Sequence, residues 1–229
     1  MSDPTIGIIG GTGPQGKGLA MRFALAGLPV VVGSRQAERA RDIAAGLNGE
    51  IEAHGGSPSV PIAGLENANM VATADWIFLT VPFENAATTL EGLKEHFKPG
   101  AAFVDVTVPL QFGKGDVQLI VPEEGSGSHL LRRILPSSVP FCGACKTLPA
   151  HVLEDLSIPM DCDTFVFADN KEVKEGLKVL LARIPGLRPM DVGGLSAAAT
   201  VEGMTALLIR LNRRHKSREG RFHVAGLDA

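Results

Sequence analysis

Gly11, Gly13 and Gly16 form a G-x-G-x-x-G within GGTGPQGKG at 10–18, directly after the apolar run TIGII and before helically spaced Leu19, Ala20, Phe23, Ala24 and Gly27. A Gly-rich turn between a strand and a helix lets backbone amides approach a pyrophosphate, and the helix N-terminus adds partial positive charge. Gly11 suits the tight turn, Gly13 removes the side chain that would face the phosphates, and Gly16 lets helix and strand pack closely. Strand before and helix after separate a dinucleotide-binding turn from a merely structural one. The second strand, LPVVV at 28–32, chooses the dinucleotide. An acidic tip would hold a ribose 2′-hydroxyl. Here Gly33, Ser34 and Arg35 stand at the tip, with Arg39 one helical turn on. A guanidinium makes bidentate, charge-assisted bonds to phosphate oxygens and a serine adds a donor, so the pattern reads NADP(H) over NAD(H).

Other reactive residue types offer less. Cys142-x-x-Cys145, with His151 and Cys162, supplies four nominal zinc ligands, but the spacing fits no zinc pattern. The cysteines fall at a strand, where buried thiols are common; structural burial is the expectation, a redox dithiol or a metal the alternatives. No metal site is assigned. His129, His151, His215 and His223 have no triad-like partners in sequence, and no catalytic residue is assigned. With no tyrosine in the chain, a Tyr–Lys carbonyl-reduction mechanism is excluded.

The elements that must position these residues alternate between strand and helix. Strands are expected at 5–9 and 29–33 around a helix at 14–27, with a second helix from Gln36 to about Leu47. Residues 49–64 read as irregular, with VPI a short strand. WIFLTVP at 76–82 is a continuous apolar run, as in a strand buried on both faces. A helix at 83–96, a strand at 101–109 and a long Gly-rich loop from Leu110 to Ser128 follow. Helical spacing returns at 129–135, strands at 139–145 and 163–168, and an amphipathic helix at 171–184. A turn at Pro185–Gly186 leads to a last helix from near Ser196, with Val201, Met204, Thr205, Leu208 and Leu211 on one face. The pattern predicts an α/β fold: a doubly wound parallel Rossmann sheet at 1–185, and a small C-terminal helical unit at 186–229 that closes one side.

The 229 residues are 45% hydrophobic and 21% charged, ordinary for a globular protein. A net charge of −3 gives no reason to expect a nucleic-acid or membrane partner. No apolar run approaches the ~20 residues that span a bilayer. The N-terminus carries no signal-peptide pattern and three cysteines cannot all pair, so a cytoplasmic location is expected.

With these motifs in place, the chain resembles the NADPH-dependent deazaflavin reductases, the coenzyme F-420:NADP oxidoreductases. The likeness rests on IGIIGGTGPQGKGLA at 6–20, VVGSR at 31–35, LTVPFENA at 79–86, KTLPAHVL at 146–153, GLRPMDVGGLS at 186–196 and NRRHKSREGR at 212–221. It implies hydride transfer between NADP(H) and an F-420-type 8-hydroxy-5-deazaflavin. It also implies roles. Thr12, Gly13, Pro14 and Gln15 would lie along the pyrophosphate, and Ser34, Arg35 and Arg39 would bind the 2′-phosphate. Val81, Pro82 and Phe83 would line the nicotinamide half, and Thr147, Leu148, Pro149 and Ala150 would sit where nicotinamide and deazaflavin stack. Leu195 and Ser196 would face the deazaflavin from the C-terminal unit. One departure is Lys146, where the family carries His or Asn. Lys146 is either a substrate contact, meeting the anionic tail of the deazaflavin, or a solvated or phosphate-facing lysine.

Two alternatives stand beside this reading. One is an NADP-dependent imine or 3-hydroxyacid reductase, with Lys146 as proton donor. The other is an NADP(H)-binding sensor without turnover. The basic tail, with Arg210, Arg213, Arg214, Lys216, Arg218 and Arg221, could grip the deazaflavin's phosphate and glutamates, be a solvated face, or contact a second copy in a homodimer.

Overall fold

The computed structural model describes residues 3–113 and 116–227; part of the expected Leu110–Ser128 loop and the last two residues of the basic tail lie outside them. Its first half is β1 (Ile6–Ile9), α1 (Pro14–Leu25), β2 (Val30–Ser34), α2 (Ala37–Ala53), β3 (Ala63–Glu66), α3 (Asn67–Val71), β4 (Trp76–Leu79), α4 (Phe83–Glu91) and β5 (Ala102–Asp105). A hairpin of β6 (Leu110–Phe112) and β7 (Val117–Leu119) follows, then α5 (Gly127–Ile134), β8 (Phe141–Gly143), α6 (Ala150–Glu154), β9 (Cys162–Val166), α7 (Lys171–Leu181), β10 (Leu187–Asp191) and α8 (Ala198–Arg214).

Six strands form one sheet in the order β3-β2-β1-β4-β5-β8, and every pair is parallel. The order reverses at β1/β4, the switch point where a doubly wound sheet opens a crevice at its strand ends. Helices cover both faces, which is why the strands are apolar on both sides. Ile6, Ile8, Phe78 and Val104 pack into one layer with Leu19 and Phe23 of α1. Ile9, Ile77, Leu79 and Phe103 pack into the other, with Met70 and Leu90.

The doubly wound sheet is as expected; several boundaries differ. α2 runs to Ala53 rather than Leu47, because Ile51, four residues past Leu47, is fully buried and adds a turn of core contact. The third strand is AGLE at Ala63–Glu66, not VPI. Gly64 permits this: a Cβ there would lie 2.1 Å from the Ala40 carbonyl oxygen of α2. Part of the expected loop after Leu110 is the β6–β7 hairpin, paired Leu110↔Leu119 and Phe112↔Val117. The short helices α3 and α6 were not anticipated.

β9 and β10 form a separate parallel pair, so strand pairing runs across the boundary expected at 185/186. It joins the main sheet through one bridge, where Gly143 and Phe167 exchange N–H···O bonds of 2.9 and 3.0 Å. A Cβ on Gly143 would lie 2.0 Å from the Phe167 ring, so glycine is what lets the pair dock.

Candidate active site

The turn between β1 and α1 is pressed against the segment that follows β4. Gly10 has φ +91°, a left-handed conformation suited to glycine, and a Cβ there would meet Val81 at 2.8 Å. A Cβ on Gly16 would come within 2.6 Å of the Gly10 carbonyl and of Thr80 Oγ1. Gly13 differs: the nearest protein atom to a Cβ would be 3.9 Å away. Protein packing does not demand glycine there, so the freed space faces the crevice and fits an approaching phosphate. α1 starts at Pro14 with no side chain capping it, leaving its first-turn amides for an anion.

At the tip of β2, Ser34 is half-buried, Arg35 is exposed just before α2, and Arg39 is exposed on the first turn of α2. Ser34 Oγ accepts the Gln36 N–H at 3.5 Å. The two guanidiniums are available to a phosphate dianion.

Along the strand ends beyond β1, a cavity of about 590 Å³ opens between the Gly turn, the segments after β4, β5 and β8, and α8. It gathers Gly13, Pro14 and Gln15 with Val81, Pro82 and Phe83, and with Lys146, Thr147, Leu148, Pro149 and Ala150. Ser34, Arg35 and Arg39 lie outside this cavity. Leu195 does not reach it: it lines a smaller cavity of about 320 Å³ with Arg132 and Asp169, and Ser196 is exposed. Sequence reasoning missed Thr80, Val106, Thr107 and Val108 on the cavity wall. The first follows β4 and the others follow β5, so the rule that ligands bind at strand ends could have found them. Thr205 and Leu208 of α8 complete a wall that helical spacing had marked only as core.

The cavity's two halves are tied together. Gln15 Nε2 donates to the Cys145 carbonyl at 3.0 Å. Arg22 Nη2 donates to the carbonyls of Val152, Asp155 and Ile158 at 2.8 Å each, and Nε to that of Leu153 at 3.2 Å. The carbonyls left open at the end of α6 are thus satisfied from α1. Gly18 permits the contact, since a Cβ there would lie 2.5 Å from Leu153. Cys145 adopts φ +58°, and its N–H donates to Thr164 Oγ1 at 2.8 Å. This bend turns Thr147–Ala150 toward the cavity. The Thr147 hydroxyl is buried without a hydrogen-bond partner.

Lys146 is neither solvated nor phosphate-facing. Its side chain has 0% exposure, and Nζ lies 2.7 Å from Asp105 Oδ2 and 3.7 Å from Glu202 Oε1. It also donates to the Thr107 carbonyl, and the Phe167 ring lies 5.9 Å away. Ser128 Oγ links the two carboxylates, at 2.7 Å from Asp105 and 3.0 Å from Glu202. Glu202 accepts the Gly127 and Ser128 N–H groups at the start of α5, and Thr205 Oγ1 donates to the Lys146 carbonyl. Lys146 thus lines the cavity while its ammonium is buried and held by Asp105, Glu202 and the Thr107 carbonyl.

The thiols are chemically quiet. Burial pushes Cys142 and Cys145 up to about 12 and Cys162 up to about 11. Among the described residues, no cluster of His, Cys, Asp or Glu could hold a metal ion, and no helix is long and apolar enough to cross a membrane.

A Gly-rich turn at the switch point, with a basic second-strand tip on one side and a largely apolar cavity on the other, has the features of a dinucleotide-dependent oxidoreductase of the Rossmann class. Comparison narrows the class. Residues 5–109 match the family described as NADP oxidoreductase coenzyme F420-dependent. F420-dependent NADP reductases from Methanothermobacter thermautotrophicus and Methanocaldococcus jannaschii are each 34% identical over 97% of this chain, which covers 95% and 99% of theirs. The chain belongs to the F420-dependent NADP reductase family. The fold agrees: a candidate F420-dependent NADP-reductase from Arthrobacter sp. FB24 superposes with TM-score 0.79 at 20% identity, covering 97% of this chain and 99% of that one. A pyrroline-5-carboxylate reductase from Coxiella burnetii shares the architecture at TM-score 0.61 and 12% identity, over 94% of this chain and 71% of its own.

Proposed function

We propose that this protein catalyses reversible hydride transfer between NADP(H) and an F420-type deazaflavin coenzyme. The observation that carries it is full-length kinship: 34% identity to F420-dependent NADP reductases extends over 97% of the chain, well beyond the nucleotide-binding turn. The nicotinamide supplies the hydride when bound; the protein's own work is to hold, orient and dry the reacting rings. The Gly11–Gly16 turn and the amides opening α1 take the pyrophosphate, and Ser34, Arg35 and Arg39 take the 2′-phosphate. Val81, Pro82 and Phe83 face Thr147–Ala150 across the cavity, so two planar rings stack between apolar walls within ~3–3.5 Å of each other and water is excluded. Such a step needs little acid–base help, which suits a site whose one lysine is locked.

The C-terminal unit that begins at residue 186 closes the cavity through Thr205 and Leu208 of α8. Leu207 and Leu211 are exposed on the same helix and support a homodimer, and the unpaired, buried cysteines suit a cytoplasmic location. Arg218, at the cavity rim, is placed to meet the anionic tail of the deazaflavin.

The test offers F420, FAD and FMN in turn to the protein with NADPH. Reduction of F420 alone is expected; equal reduction of the flavins would overturn the deazaflavin assignment.

A further inference from the structure

The strand beside the β2 tip ends in an acid. β3 pairs with β2 in the register Val32↔Gly64, Gly33↔Leu65 and Ser34↔Glu66. Partnered residues of neighbouring parallel strands point to the same face, and the strands lie ~4.8 Å apart. Packing fixes which face is which. Leu65 packs against the layer of Ile9 and Met70, whereas Gly64 faces α2, where a Cβ would meet the Ala40 carbonyl. Alternation then puts Glu66 on the α2 face, beside Ser34 and toward the helix start that carries Arg39. The two strand ends are pressed together, since a Cβ on Gly33 would collide with Asn67 Oδ1. Glu66 is exposed, and as the residue before α3 its side chain makes no capping bond. Among the described residues, no basic side chain pairs with it. The acid that β2 lacks at its own tip thus stands next to that tip in the sheet.

Resting on the reading that Ser34, Arg35 and Arg39 take the 2′-phosphate, we propose that Glu66 limits the preference for NADP(H) over NAD(H). The two nucleotides differ only at the 2′ position of one ribose, a phosphate in the first and a neutral hydroxyl in the second. An exposed carboxylate is an anion at neutral pH. One strand spacing from Ser34, it repels the phosphate and leaves the hydroxyl unopposed. Two guanidiniums outweigh one carboxylate, so the site still favours NADP(H). Glu66 sets by how much. The repulsion crosses solvent, so it is modest and salt screens it. It requires neither direct contact with the nucleotide nor proton transfer.

The test is the ratio of dissociation constants, Kd(NADH)/Kd(NADPH), measured by calorimetric titration of the whole protein at low salt. Glu66→Gln removes the charge at nearly constant shape. It is expected to raise the ratio about three- to tenfold through tighter NADPH binding, the effect of a unit charge ~7 Å from a phosphate in a water-like dielectric of ~80. Glu66→Lys should raise it further, and serves if Glu66→Gln does not fold. The gain should shrink at ~0.5 M salt. Glu172→Gln makes the same change of net charge on α7, away from the β2 tip, and should leave the ratio in place. Wild-type protein that prefers NADPH, with the ratio unchanged in folded Glu66→Gln or Glu66→Lys, overturns this inference alone. An equal shift in Glu172→Gln overturns it too, since net charge would then account for the effect. Wild-type protein that shows no preference for NADPH overturns the 2′-phosphate reading, and this inference with it.

Discussion

The side-chain amide of Gln15 donates to the carbonyl of Cys145 at 3.0 Å, across 130 positions of chain. One residue lies in the phosphate-side turn; the other opens the segment that carries Thr147–Ala150. This bond ties the turn proposed to grip the dinucleotide to the segment proposed to face its reactive ring.

Gln15→Leu should therefore affect turnover more than folding. The lost bond is worth about 1 kcal/mol of stability. Misplacement of one ring against the other should lower kcat on the order of tenfold. Steady-state kinetics beside a urea melt separate the two effects, and an unchanged kcat would show that the tie does not set ring geometry.

Arg35→Asp places a carboxylate where the 2′-phosphate is expected. NADPH affinity should fall by about 2 kcal/mol or more, roughly thirtyfold, while NADH affinity changes little. Titration with both nucleotides checks this. Equal loss for both would remove Ser34, Arg35 and Arg39 from the 2′-phosphate site.

Much of this was legible in the sequence. The Gly turn, the Ser34–Arg35 tip and the alternation of apolar strands with amphipathic helices each depend on local chemistry, and a linear reading sees local chemistry. AGLE was missed as a strand because it has no β-branched or aromatic residue; pairing with β2 and room at Gly64 hold it in place. The buried cluster was invisible for another reason. Asp105, Ser128 and Glu202 come from three separate elements and Lys146 from the segment after β8, and nothing in the neighbours of Lys146 signals two carboxylates beside it. Leu195, expected from the resemblance to face the deazaflavin, lines a separate, smaller cavity.

Lys146→Met leaves Asp105 and Glu202 buried without their cation. Breaking a buried pair from one side costs about 3–5 kcal/mol. Chemical denaturation should show a loss of that size, and a variant as stable as the parent would contradict the enclosed ion pair.

Cys142 and Cys145, pushed up to about 12, should resist a thiol reagent in the native protein at pH 8 and react only on unfolding. Mass spectrometry after brief iodoacetamide treatment reads this directly. Rapid native labelling of either would restore the redox alternative.

Asp163 pairs with Arg188, its register neighbour, at 2.6 and 2.9 Å, and accepts the Val224 N–H. Burial alone would raise its pKa, but the Arg188 and Val224 contacts outweigh it and hold the carboxyl below the usual carboxylate range. A depressed folded value adds stability above the unfolded pKa of ~3.9, and that stability is lost as pH falls through the folded value. Melting temperature should therefore drop below about pH 4 in the parent, with a shallower drop in Asp163→Asn. Parallel acid limbs would show that the pair does not contribute.

The most direct measurement is anaerobic: catalytic protein, excess NADPH and F420, with the deazaflavin's visible absorbance followed over time. The account predicts enzyme-dependent bleaching with NADPH, far slower bleaching with NADH, and recovery of the absorbance when excess NADP+ is added to the reduced coenzyme. No bleaching with NADPH from folded, NADPH-binding protein would contradict it.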